Sequence, residues 1–161
     1  MRDIDCDAAA GDTSAVQRAE RDVAAGNGYA LYVHTVQNLL ASHVRVEVWA
    51  GAAASEAIDG GWVGSGVFDL DCPTGLLVVG DEISASLDGI DPSEGPGRYR
   101  VAVYHRGRDE ARSAHHEAVR AIAPGLNQAL SEVQSRHRGV ERYLLRLWWQ
   151  QPLPGTEGDD D

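Results

Sequence analysis

The chain has 161 residues, 14 basic and 25 acidic side chains, a formal net charge of −11 at pH 7 and a hydrophobic fraction of 43%. That length suits one domain that buries a core without disulfide or metal staples, and the negative charge argues against general nucleic-acid binding, which needs a basic surface. Every basic residue is Arg, so Schiff-base catalysis by Lys and a Lys-bearing phosphate loop are both excluded.

Residues 1–12 read as a frayed acidic leader without the apolar centre of a signal peptide. No apolar run approaches the roughly 18 residues of a membrane helix. The expectation is a cytoplasmic protein without membrane attachment. A short helix is expected over Thr13 to Ala25, capped by Thr13 or Ser14, with Val16, Ala19 and Val23 at helical spacing and Gly26-Asn27-Gly28 as its stop. From Tyr29 the period changes to two. Tyr29 to Val36 and His43 to Ala50 read as strands, the second with Val44, Val46 and Val48 on one face and Arg45, Glu47 and Trp49 on the other. Gly51 to Gly61 is a small-residue loop. Trp62 to Leu70 resumes a strand in which Gly64 and Gly66 predict a bulge or a close backbone approach.

Asp71 to Gly75 is turn chemistry, followed by two short apolar runs, Gly75 to Val79 and Ile83 to Leu87, and a second turn from Asp91 to Gly97. Arg98 to His105 alternates best of all: Tyr99, Val101, Val103 and His105 on one face, Arg98, Arg100, Ala102 and Tyr104 on the other. Asp109 to Ile122 has helical composition, with Ala111, Ala114, Ala118 and Ile122 spaced for one face. Pro124-Gly125 breaks it, and Leu126, Ala129, Leu130 and Val133 form a second amphipathic stretch. Glu141 to Trp149 is a closing strand, and residues 151–161 a disordered acidic tail. Seven short strands joined by Gly/Pro turns predict a mainly β domain over 29–150, an antiparallel β-sandwich or open barrel with a helical insertion at 109–138 before the last strand. Residues 1–28 are its leader.

Charge is unevenly distributed. Residues 29–96 carry one Arg and ten acids, whereas residues 97–150 carry ten Arg and five acids. Either the two halves face each other within the domain or are simply solvated, or an acidic face docks a basic protein partner.

Candidate chemistry is sparse. His105, His115 and His116 would be the ligands of a metal-dependent hydrolase, but there is no HExxH, and adjacent His residues on a helix point about 100° apart. Asp69 and Asp71 share a strand face and could hold a weak cation, although a hard cation wants six or more oxygens. Gly64-Ser65-Gly66 lacks the flanks of a nucleophile elbow. Cys6 and Cys72 form no CxxC and read as reduced thiols, with a disulfide between them left open for an exported protein. No cofactor is expected.

The distinctive segment is His105-Arg106-Gly107-Arg108-Asp109. Arg106 and Arg108 are either a clamp for a carboxylate or phosphate or part of a corner in which Arg108 pairs with Asp109. Trp148 and Trp149 are adjacent on a strand and must face opposite sides, so that one is core and the other is surface, or covered by a loop or a partner. Trp62, Arg106, Arg108, Asp109 and Trp149 are therefore the candidate binding residues.

Gly97-Arg98-Tyr99-Arg100-Val101-Ala102-Val103-Tyr104-His105-Arg106-Gly107-Arg108-Asp109, with Glu141-Arg142-Tyr143-Leu144-Leu145-Arg146-Leu147-Trp148, resembles the end of a group of actinobacterial proteins of no assigned activity. Their pattern reads GxYRVRVxxRGRD, then ExYLLQxWP. Leu31 to Thr35, Val46 to Val48 and Trp62 extend the likeness over residues 29–150. Trp149 departs from the Pro of that pattern, and the 110–138 stretch is longer. The Arg-only, Ala- and Gly-rich composition agrees with a GC-rich coding genome of that kind. At the level of fold, the chain is similar to the competence protein J type of nuclease inhibitor. The expectations that follow are a non-enzymatic interaction domain of immunity or inhibitor type, or else a small-molecule or carbohydrate-binding module using Trp62, Trp149 and Arg108.

Overall fold

The computed structural model describes residues 1–6, 11–52, 58–80, 85–122 and 127–154. In chain order the elements are β1 (Arg2–Asp3), α1 (Thr13–Asp22), β2 (Ala24–Gly26), β3 (Leu31–Val33), β4 (His43–Trp49), β5 (Val63–Cys72), β6 (Leu77–Gly80), β7 (Ala85–Ile90), β8 (Gly97–Arg106), α2 (Arg108–Ala121), α3 (Asn127–Arg136) and β9 (Arg142–Gln151). Among the described residues the protein is mainly β, with three sheets, no closed barrel, and helices α2 and α3 inserted before the last strand.

The principal sheet has the order β4-β9-β8-β5. Its inner face carries the apolar half of each alternating strand: Phe68 and Leu70, Tyr99, Val101 and Val103, Leu145 and Leu147, with Val44 and Val46 at the rim. Ala24 of β2, Leu31 of β3 and Leu77 of β6 close that core from the other side. The second layer is thus split between the β2-β3 hairpin and the β1-β6-β7 sheet. Gly64 and Gly66 flank a break in register between β5 and β8, the bulge expected there.

The sheet is not wholly antiparallel. β4 and β9 run parallel in unbroken register from His43↔Arg142 to Trp49↔Trp148. The reason is where the two strands start. The α2-α3 hairpin returns the chain to the end of the sheet where β8 finished, so that Arg142 sits opposite Arg106. The chain from β3 reaches the same end, where His43 N donates to Glu141 O at 2.9 Å.

Residues 1–28 are part of the fold. Arg2 and Asp3 pair with Val78 and Leu77, Asp3 is fully buried, and Ala15, Ala19, Ala24 and Ala25 are all buried. Helix α1 is capped by Asp12, whose carboxylate accepts from Ser14 N and Ala15 N at 3.0 Å each. This leaves Thr13 and Ser14 inside the helix. It ends at Asp22, because Val23 adopts φ +75°. That conformation is costly for a β-branched residue. It turns the chain so that Ala24 and Ala25 enter β2 and pair with β3. β3 is shorter than expected, and β5 runs on through Asp71 and Cys72 before the turn.

Helix α2 buries Ala111, Ala114, Ala118 and Ala121, while Ile122 is exposed. Ala114, Ala118 and Ala121 form a second small core with Val133 of α3 and Leu40. The hairpin therefore packs on the 39–40 segment. Pro124, Gly125 and Leu126, and residues 155–161 of the acidic tail, lie outside the described residues.

Candidate functional site

The corner after β8 is built on Gly107. Its φ of +77° is left-handed, and a Cβ there would lie 1.9 Å from Val140 O, so only glycine fits. Around this turn the expected binding residues part company. The Arg106 guanidinium lies over the Trp62 ring, 4.8 Å from its centroid, and donates to Gly60 O at 3.2 Å. Together with Gly60, Gly61, Gly107, Glu110 and Val140 it lines a shallow hollow of about 320 Å³. Asp109 does not pair with Arg108. It pairs with Arg112 one turn further along α2.

Arg108 turns inward. Its Nη1 donates to His34 O at 2.5 Å and to the Tyr143 hydroxyl at 2.6 Å, and lies 3.6 Å from Glu141 Oε1. Glu141 is completely buried and also accepts from Val36 N at 2.9 Å, from Gln37 Nε2 at 3.3 Å and from the Tyr143 hydroxyl. Burial, then the hydrogen bond to Glu141, pushes the Tyr143 phenol well above its ordinary range. A buried carboxylate of this kind must be fully hydrogen-bonded to be tolerated. This cluster ties the 34–37 segment to the starts of β9 and α2. Arg108 is thus committed to holding the fold and is not free to clamp a ligand.

Trp149 is likewise unavailable. It faces the inner side of the sheet and packs against the core, with its Nε1 buried and unpartnered. Trp62, Trp149 and Arg108 therefore do not converge on a carbohydrate site. Trp148 points to the outer face and is also buried.

That outer face carries an aromatic and cationic cluster. Leu144, Ala102 and Trp148 form its floor. Above them, Arg146 lies 4.8 Å from the Trp49 ring centroid and 5.8 Å from that of Tyr104. Glu47 Oε2 accepts from Arg146 Nε at 3.0 Å and from Trp49 Nε1 at 3.2 Å, fixing the stack. Trp49 is 37% exposed and Val67 on β5 53%. Helices α2 and α3 pack on the 39–40 segment. Sequence reasoning passed over Trp49, Tyr104 and Arg146. The signal was present: aromatics stand at the polar-face positions of alternating strands.

The uneven charge distribution is resolved in the same sheet. Asp71 accepts from Arg98 at 2.6 Å and 3.0 Å, and Asp69 from Arg100 at 3.1 Å. The acidic and basic halves thus meet side by side across β5-β8, and across β4-β9 through Glu47–Arg146. Asp69 and Asp71 are neutralised by Arg instead of being poised for a cation.

No group of three or more His, Cys, Asp or Glu that could hold a metal exists among the described residues. His105 lies on β8 with its Nδ1 buried and unpartnered. The His115 and His116 rings are 6.3 Å apart and tilted by 58°. His137 pairs with Glu117 at 2.9 Å. Cys6 and Cys72 are both free thiols. Cys72 Sγ donates to Asp3 Oδ2 at 3.0 Å, and the same carboxylate accepts from Thr74 N and Thr74 Oγ1 at 2.9 Å and from Asp5 N at 3.0 Å. Burial alone would raise the Asp3 pKa. The bonds from Cys72, Asp5 and Thr74 outweigh it and hold the carboxyl below its usual range.

Comparison with protein-family models, with curated proteins and with solved structures finds no match for this chain. No helix among the described residues is long and apolar enough to cross a membrane.

Proposed function

We propose that the chain is a non-enzymatic interaction domain that binds another protein through the outer face of its principal sheet. The observation that carries this reading is the Trp49–Arg146–Tyr104 stack, in which Trp49 is exposed, with Val67 exposed on the same face. Trp, Tyr and Arg are the residue types that dominate binding hot spots, and apolar surface left open on a folded domain marks interaction sites. The Arg98–Asp71 and Arg100–Asp69 pairs supply the polar rim such a surface needs. A basic partner suits the net charge of −11. The resemblance to nuclease inhibitors adds the immunity or inhibitor type as the sense of that binding.

The test compares wild type with Trp49→Glu as baits in the native host, at low and moderate salt. The expected result is a discrete protein retained by the wild type and lost with the variant, which keeps its circular dichroism spectrum and melting temperature. Identical retained proteins for both baits would sink the proposal.

A further inference from the structure

The two edges of the principal sheet are finished differently. The β5 edge is protected: it is bulged at Gly64–Gly66, and Gly28 bridges to Leu70, with Asp71 N donating to Gly28 O at 2.6 Å. β4, at the other edge, has neither of the devices that finish β5; its only edge feature is the charged pair of residues Arg45 and Glu47. Its sequence HVRVEVW contains no Pro and no bulge, all seven residues pair with β9, and among the described residues no strand pairs with its other side. Val48 is 45% exposed.

The hydrogen-bond phase of that free edge can be read directly. His43 N donates to Glu141 O, so His43, Arg45, Glu47 and Trp49 direct their backbone groups toward β9. Strand alternation then aims those of Val44, Val46 and Val48 outward.

We infer that β4 is a docking edge for a second copy of this chain, joined antiparallel to its own β4 about a two-fold axis at Val46. In that register Val46 faces the partner's Val46 and Val44 faces the partner's Val48, both as hydrogen-bonded pairs formed by the outward groups. Arg45, which pairs with Glu47 of its own chain at 3.0 Å, falls opposite the partner's Glu47, twice over, as non-hydrogen-bonded pairs whose side chains approach most closely. A shift of two residues in either direction would set Arg45 against Arg45 or Glu47 against Glu47, so charge selects this one register. The contact is self-complementary, as a two-fold interface must be. It would extend the two principal sheets into one eight-stranded sheet and leave both outer faces open. The inference is independent of the outer-face partner.

The test is sedimentation equilibrium of the full chain over micromolar to millimolar concentrations, with two variants. Arg45→Glu places like charges opposite each other at a side chain that is 69% exposed. Val46→Pro removes an outward N–H without touching the ladder to β9, and Pro is tolerated on an edge strand. The expected result is reversible self-association into two-chain particles. Each variant should weaken it by at least roughly tenfold while keeping the wild-type circular dichroism spectrum. Hydrogen exchange at Val44, Val46 and Val48 should slow as concentration rises. A wild type that sediments as one chain throughout, or a dimer that neither variant weakens and in which those amides exchange at a concentration-independent rate, would overturn the inference.

Discussion

The guanidinium of Arg108 lies 3.6 Å from the carboxylate of Glu141, with Glu141 wholly buried and Arg108 10% exposed. Removing one member of such a pair strands the other charge in the interior, which costs about 3–5 kcal/mol. Arg108→Met is therefore expected to lower the urea unfolding free energy by that order. Adding Glu141→Gln to it should recover part of the loss, because no unpaired charge then remains. A double-mutant cycle by urea denaturation checks this, and additive losses would show that the two residues do not act as a pair.

Gly107 supplies the turn that lets Arg108 point inward. Gly107→Ala meets two obstacles: a left-handed φ of +77° and a Cβ placed 1.9 Å from Val140 O. The left-handed conformation alone costs about 1–2 kcal/mol for an L-residue, and the backbone clash adds to it. We expect a fall in melting temperature of roughly 10 °C or more for a chain of this size, read by calorimetry. Gly11→Ala, where a Cβ meets nothing within 4 Å, is the control and should be near neutral.

What the sequence made legible follows from period and chemistry. β4, β8 and β9 were readable because Val44-Arg45-Val46-Glu47, Tyr99-Arg100-Val101-Ala102 and the apolar Tyr143–Trp149 run each match a strand with one face in the core. The glycines at 64 and 66 signalled either a bulge or a close backbone approach, and the register break between them shows the bulge. The β2 strand was not. Ala24 and Ala25 are good helix formers, and only their pairing with β3 makes them extended. Nor was the parallel β4-β9 pairing, since which strands become neighbours is decided by tertiary packing. In the corner, local sequence suggested that Arg108 pairs with its neighbour Asp109. The carboxylate it meets in space is Glu141, 33 residues on and unmarked by any motif. The outer face was half legible: the facing of Trp49 and Tyr104 was correct, but not that Arg146 would stack between them.

Asp3 and Cys72 make the N-terminal strand sensitive to acid. The Asp3 carboxyl is held below its ordinary range by donors on Cys72, Asp5 and Thr74. A group whose pKa is depressed on folding stabilises the fold above its unfolded value, here 3.8. That stabilisation is lost as pH falls through the lower folded value. Asp3→Ala is expected to cost about 2 kcal/mol at neutral pH, since it leaves four donors, on Cys72, Thr74 and Asp5, without their acceptor. It should also flatten the acid limb of the stability curve below pH 4. Burial, then the bond to Asp3, pushes the Cys72 thiol far above its ordinary range. Mass spectrometry after brief treatment of native protein with a thiol-alkylating reagent should find Cys72 unmodified. Modification of Cys72 without unfolding would contradict this placement.

His105 predicts a second, earlier loss of stability. Burial and the neighbouring Arg108 lower its pKa below 6.5, with Glu141 acting weakly in the opposite sense. The imidazole Nδ1 has no hydrogen-bond partner. Because the folded protein takes up this proton less readily than the unfolded chain, stability falls as pH drops from about 6.5 toward the folded value, and levels off below it. The direction is that of a carboxylate with a depressed pKa, but the window lies nearer neutrality. His105→Leu removes the titrating group, and its side chain remains on the half-buried inner side of β8. We therefore expect wild-type urea midpoints to decline from pH 6.5 to pH 5, and those of His105→Leu to decline less over the same window. Equal slopes in the two proteins would show that the His105 proton is not linked to folding. A steeper slope in the variant would mean that His105 gains a partner on protonation, with Glu141 the nearby acid able to provide it.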